Sequence, residues 1–157
     1  KYEKYIKTIN IEARTMIDMA SKQIIPSVIE YSMMLAKSII NVKSALKTDA
    51  KFVTQDILKE IMELLDEAKV AVDVLKDVLD YAEERNEGPK ELAIYYRDKV
   101  CVAMDRLRKP CDRLEMLKNE PIQKPEFGNI SVAISPAIWF YDFPARITDI
   151  VSGFRTA

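Results

Sequence analysis

The 157-residue sequence predicts an all-α protein. The expected architecture is an antiparallel bundle of three long helices, the first and third kinked at proline, followed by an irregular tail rich in proline and aromatic residues. Three observations carry this reading. Apolar residues recur at alternating steps of three and four over three long stretches, the spacing of one helix face. Only 3 glycines are present, where average usage of about 7% would supply roughly 11; turn-rich β architectures and glycine-rich phosphate loops are therefore disfavoured. Four of the 7 prolines (Pro121, Pro125, Pro136 and Pro144) lie beyond the periodic stretches.

The first helix is expected over about residues 3–47. Its stripe runs Ala13, Met16, Ala20, Ile24, Val28, Tyr31, Leu35, Ser38, Val42 and Ala45. Pro26 falls inside it, removes a backbone donor and clashes with the preceding turn, which predicts a kink or break near Ile24. A second stripe (Ile17, Ile25, Met33, Ile39, Ile40) widens the apolar face, so this helix should touch more than one neighbour. The second helix, about 52–86, carries the clearest seam: Leu58, Ile61, Leu65, Ala68, Val72, Leu75, Leu79 and Ala82 at steps of 3 and 4, a heptad pattern. Asp49 or Thr54 would cap its start, and Asn86-Glu87-Gly88-Pro89 would stop it. The third helix, about 89–118, opens on Pro89, where a missing N–H costs nothing. Its seam is Tyr96, Val100, Ala103, Leu107, Pro110, Leu114 and Leu117, with a bend expected at Pro110. Short links make neighbouring helices antiparallel. The expected bundle core is Met16, Ala20, Val28, Leu35, Leu58, Ile61, Leu65, Val72, Leu75, Leu79, Val100, Leu107 and Leu114.

Charge supports this packing. Residues 1–48 carry a net +4, residues 54–87 a net −7 and residues 90–118 a net +3, while the whole chain is at −1. A basic–acidic–basic order suits three helices packed on one another. An acidic partner-binding stripe on the second helix is the functional alternative, weaker because exposed ion pairs and charge runs are usually solvated.

The tail changes character. Ile130–Ile134 has the composition of a short strand, and Trp139, Phe140, Tyr141 and Phe143 form a dense aromatic cluster. Such a cluster is buried against something or marks a contact surface. The domain reading is therefore a helical bundle over 1–120 and an extended tail over 121–157, docking on the bundle or on a neighbouring subunit. Trp139, Phe140, Tyr141 and Phe143 are the candidate subunit contacts. The longest uncharged run, Phe127–Tyr141, is shorter than the roughly 20 apolar residues of a membrane-spanning helix.

The absence of histidine excludes Ser-His-Asp and Cys-His catalysis, histidine-ligated zinc and histidine pH switching. Near-zero net charge argues against a general nucleic-acid binder. Cys101 and Cys111, on one helix, would be about 15 Å apart, too far for a disulfide; two unpaired thiols fit a reducing, cytoplasmic setting. Carboxylates at helical spacing (Glu60, Glu63, Glu67; Asp73, Asp77, Asp80) converge poorly for a hard metal. Arg106, Arg108, Lys109 and Arg113 stand among Asp105, Asp112 and Glu115, so local pairing is expected. Tyr95-Tyr96-Arg97-Asp98 reads as a packing corner with a locally paired Arg97. No catalytic, cofactor or metal residue is assigned in this segment.

Three stretches together resemble the C-terminal region of type III glutamine synthetases. They are Ile9-Asn10-Ile11-Glu12-Ala13-Arg14-Thr15-Met16-Ile17-Asp18-Met19-Ala20, continuing to Gln23-Ile24-Ile25-Pro26-Ser27-Val28; Tyr95-Tyr96-Arg97-Asp98-Lys99-Val100 with Ala103–Arg108 and Cys111–Glu115; and Pro125-Glu126-Phe127-Gly128-Asn129-Ile130. The likeness covers about residues 3–130. The sequence departs from the family's usual ending at Phe127 and Asn129, and residues 131–157 continue past it. The resemblance implies a bacterial, cytoplasmic parent enzyme that joins ammonia to glutamate with ATP and magnesium or manganese, its ligands all upstream of Lys1, in an assembly of hexameric rings. On this reading the chain is a structural or assembly domain, inactive alone, whose partners are the catalytic domain of the same polypeptide and neighbouring subunits, with no nucleic acid and no membrane. The rival is a free-standing helical interaction module using the acidic second helix or the aromatic tail.

Overall fold

A computed structural model describes residues 1–119, which belong to one unit spanning Lys1–Glu120. The tail expectations, including the strand at Ile130–Ile134 and the contacts at Trp139, Phe140, Tyr141 and Phe143, lie outside the described residues. Every described element is helical, in three continuous stretches. The first contains α1 (Tyr2–Met19), a π-helical turn (Ala20–Ile24) and α2 (Ile25–Leu46). The second is α3 (Val53–Glu84). The third contains α4 (Pro89–Tyr95), a second π-helical turn (Tyr96–Val100) and α5 (Cys101–Asn119). α3 packs chiefly against α5 and α2, and α1 against α4.

The first π turn has a cause in the sequence. Buried side chains in this stretch fall at Tyr5, Ile9, Ala13, Met16, Ala20, Ile24, Val28, Ser32, Leu35 and Ile39. Between Met16 and Ser32 every step is four residues. An α-helix makes a turn in 3.6 residues, so four such steps rotate the buried side by about 160°. A turn closed by i→i+5 bonds takes up an extra residue and cancels part of that drift. Pro26 follows directly, in the first turn of α2, where its ring and missing donor are accommodated. The seam expected from Val28 onward is corrected here: Ser38, Val42 and Ala45 are exposed, and the buried line runs through Ser32 and Ile39 instead. The two registers share Leu35. Choosing Ile39 over Ser38 buries a large apolar group, and the Ser32 hydroxyl is satisfied by the Ile29 carbonyl at 2.7 Å.

α3 starts differently from expectation. Neither Asp49 nor Thr54 caps it; the Gln55 side chain accepts the Phe52 backbone N–H at 3.1 Å, the glutamine half of a capping box. At the end of α2, Lys47 adopts the left-handed conformation (φ 47°, ψ 44°), and Thr48 donates its N–H to the Lys43 carbonyl at 3.3 Å. Pro110 is fully buried inside α5, whose helical span continues to Asn119.

Of the expected core, Ile61, Leu75, Leu107, Leu114 and Val100 are fully enclosed, and Met16, Ala20, Val28, Leu35, Leu65, Val72 and Leu79 are buried. Leu58 is the exception, only half-buried on the first turns of α3. The core also takes in Met104, Tyr96 and Cys111.

Candidate functional site

The most chemically varied part of the described molecule is a polar node where α1, the end of α3 and the start of the third stretch meet. Asn10 and Arg14 stand one turn apart on α1. Arg14 Nε donates to Asn10 Oδ1 at 2.8 Å, and Asn10 Nδ2 donates to the Tyr96 hydroxyl at 2.9 Å. Arg14 also pairs with Glu83 near the end of α3. Tyr96 is buried on the second π turn. One chain of bonds therefore ties all three helical stretches.

Each shift in this node has a local cause. The Arg14 hydrogen bond holds the Glu83 carboxyl below the usual carboxylate range. Burial raises the Tyr96 hydroxyl, keeping it a neutral donor and acceptor. Beside it, Tyr95 donates its hydroxyl to the Val78 carbonyl at 3.3 Å and sets its ring 5.7 Å from that of Tyr81. The Arg85 guanidinium stacks over both rings, 4.5 Å from Tyr95 and 5.4 Å from Tyr81, and pairs with Glu87. This arrangement closes the α3–α4 link.

The remaining sequence candidates fall as follows. Arg97 is paired with its neighbour Asp98 at 2.6 Å, at the surface. Arg108 pairs along its own helix with Asp112, whereas Arg113 reaches across to Glu60 of α3 at 2.7 Å. Arg14–Glu83 and Arg113–Glu60 are thus two points, among the described residues, where basic outer stretches meet acidic α3. The carboxylates of α3 stay apart: among the described residues, no group of three or more Cys, Asp or Glu side chains converges to hold a metal ion. Cys101 and Cys111 are free, with burial pushing the Cys111 thiol up to about 12. Cys101 Sγ lies 3.8 Å from the Tyr5 hydroxyl. No described helix is long and apolar enough to cross a membrane.

Sequence pattern does not single out Asn10, Glu83, Arg85 or Tyr5 as site residues. Asn10 and Arg14 at i,i+4 are the one local cue, since that spacing places both on one face.

Comparison with known proteins points the same way as the motifs. Residues 1–43 match the family model described as glutamine synthetase C-terminal domain, a segment that includes Asn10 and Arg14. A glutamine synthetase from Butyrivibrio fibrisolvens is 33% identical over 129 residues, 82% of this chain. The chain spans only 18% of that relative's length. No solved structure matches.

Proposed function

With its first 43 residues matching the glutamine synthetase C-terminal domain and a glutamine synthetase aligned along 82% of its length, we propose that this chain is the C-terminal structural and assembly domain of such an enzyme, of the type III, bacterial form. The observation that carries the reading is the alignment's asymmetry: most of this chain corresponds to a small share of a much longer enzyme. The parent reaction, ATP-dependent ligation of ammonia to glutamate, then belongs to the longer protein. ATP and magnesium or manganese would bind outside this segment. The partners are the catalytic domain of the same polypeptide and neighbouring subunits in a cytoplasmic homo-oligomer.

In this reading the three helical stretches form an antiparallel bundle bent at Pro26 and Pro110. The inter-stretch ties through Asn10, Arg14, Glu83 and Tyr96 make it a rigid element rather than a reactive one.

The test compares the longer enzyme with and without the segment equivalent to residues 1–157, by light scattering and by an ATP-dependent glutamine-forming assay. Loss of the full assembly on deletion is expected, together with no glutamine formation by the isolated chain. Activity of the isolated chain, or an assembly unchanged by the deletion, would sink the proposal.

A further inference from the structure

α2 carries a second apolar line whose Ile29, Met33 and Ile40 no other described helix covers. Ile25, Ile29, Met33, Ala36 and Ile40 recur at steps of 4, 4, 3 and 4, so they lie within about 80° of one another on the helix. Ile29, Met33 and Ile40 are 44%, 55% and 67% exposed. The line sits about 90° from the side that α2 buries through Val28, Ser32, Leu35 and Ile39. Exposed apolar side chains grouped on one side of a helix in this way are the kind of patch that marks a contact surface.

Charge identifies the occupant. Between Ile24 and Val42 the only charged residues are Glu30 and Lys37. Both are exposed, and neither makes an ion pair among the described residues. Seven residues apart, they lie on the same edge of the stripe, the edge away from the core, about 10 Å from each other along the axis. A two-fold axis passing between Met33 and Met34 sets Glu30 level with Lys37 of a second copy, and Lys37 level with Glu30 of that copy. The same operation staggers the apolar side chains of one helix between those of the other: 40, 36, 33, 29 and 25 of the second copy alternate with 25, 29, 33, 36 and 40 of the first. Apolar interdigitation and two ion pairs thus come from one symmetry operation, which is what an isologous antiparallel helix contact requires.

We infer that the Ile29–Met33–Ile40 face of α2 is a self-association surface, on which α2 of a second copy of this chain packs antiparallel with Glu30 against Lys37 across a two-fold axis. This deepens the assembly reading by naming one of its surfaces, but it rests on the α2 face alone.

The test is sedimentation equilibrium of the full 157-residue chain over a range of micromolar concentrations. A reversible dimer is expected. Met33→Glu should weaken it by about a hundredfold or more, because an unpaired carboxylate would be buried in each copy. Glutamate is as good a helix former as methionine, so the variant's helical signal should be unchanged. Glu30→Lys should weaken the dimer by about tenfold, since two attractive pairs become repulsive. Adding Lys37→Glu should restore it, a rescue that a merely structural role would not produce. A monomer at every concentration overturns the proposal and leaves the stripe to residues 121–157 or to the rest of the longer enzyme. A dimer indifferent to Met33→Glu, or a double variant without rescue, overturns the assigned face. In each of those cases the assembly reading is judged separately, by the deletion in the longer enzyme.

Discussion

Asn10 on the first helical stretch donates its side-chain amide to the hydroxyl of Tyr96 on the third, at 2.9 Å across 86 positions of sequence. Tyr96 is buried, so this bond satisfies a hydroxyl largely withdrawn from water. Asn10 in turn accepts from Arg14, which pairs with Glu83 on the second stretch. Tyr96→Phe should therefore cost about 0.5–1.5 kcal/mol in denaturant unfolding. A double cycle with Asn10→Ala should show the two losses to be non-additive. Additive losses would mean that the bond contributes nothing to stability.

Core truncations should scale with enclosure. Leu75 is fully buried and Leu65 nearly so, so either Leu→Ala change should lower stability by about 2–5 kcal/mol. Leu58 is only half-buried, and Leu58→Ala should cost less than about 2 kcal/mol by the same reasoning. Thermal melts of the three variants check the order.

The left-handed Lys47 offers a stabilising change. A side chain at φ 47° carries a steric penalty that glycine lacks. Lys47→Gly should raise stability by about 0.5–1 kcal/mol, since the same αL cap is then formed without a Cβ clash. A lower melting temperature would contradict the cap geometry.

Two carboxylates pull in opposite directions with pH. Glu83 is held below its ordinary range by the Arg14 hydrogen bond. Its contribution is present above the unfolded value near 4.5 and is lost as pH falls through the depressed folded value. Both partners are half-exposed, so Glu83→Gln should cost less than about 1 kcal/mol at neutral pH. Glu115 is raised, chiefly by burial and then by Asp112. Its charge opposes folding once pH exceeds the raised value, and stability from this group is greatest below about 4.5. Glu115→Gln should therefore stabilise at about pH 7 and make no difference at about pH 3. Unfolding curves at the two pH values separate the effects.

Cys111 should be silent toward thiol reagents in the folded chain. Burial pushes its thiol up to about 12, so almost no thiolate exists at about pH 8. Maleimide labelling followed by mass spectrometry should modify Cys111 only after denaturant is added.

The three helices are legible in the sequence because each keeps an apolar period over many turns. In α3 the residues Ile61, Leu65, Val72, Leu75 and Leu79 are enough to define the buried line, and all five lie buried there. The details that escape the pattern are local. Two registers after Val28 share Leu35, and only packing separates Ser38 from Ile39. The start of α3 is hard to read because a glutamine inside the helix, not a residue before it, satisfies the first N–H. The Asn10–Tyr96 node is hidden for a different reason: its members are far apart in sequence, and no periodicity links a polar pair across helices. The side of α2 that no other described helix covers is visible as excess apolar residues, but not which of them remain outside.

The π turn at Ala20–Ile24 also gears the two ends of the first stretch to each other. Each residue in a regular helix advances the side chains by about 100°. Wound as an ordinary helix, the same residues would carry everything downstream round by about that angle relative to α1. Either Val28, Leu35 and Ile39 would leave the core, or Asn10 and Arg14 would leave their partners. The helix behaves as a shaft whose phase is set by a single inserted residue, so the direction in which α2 displays Ile29, Met33 and Ile40 is fixed from the far end of the molecule.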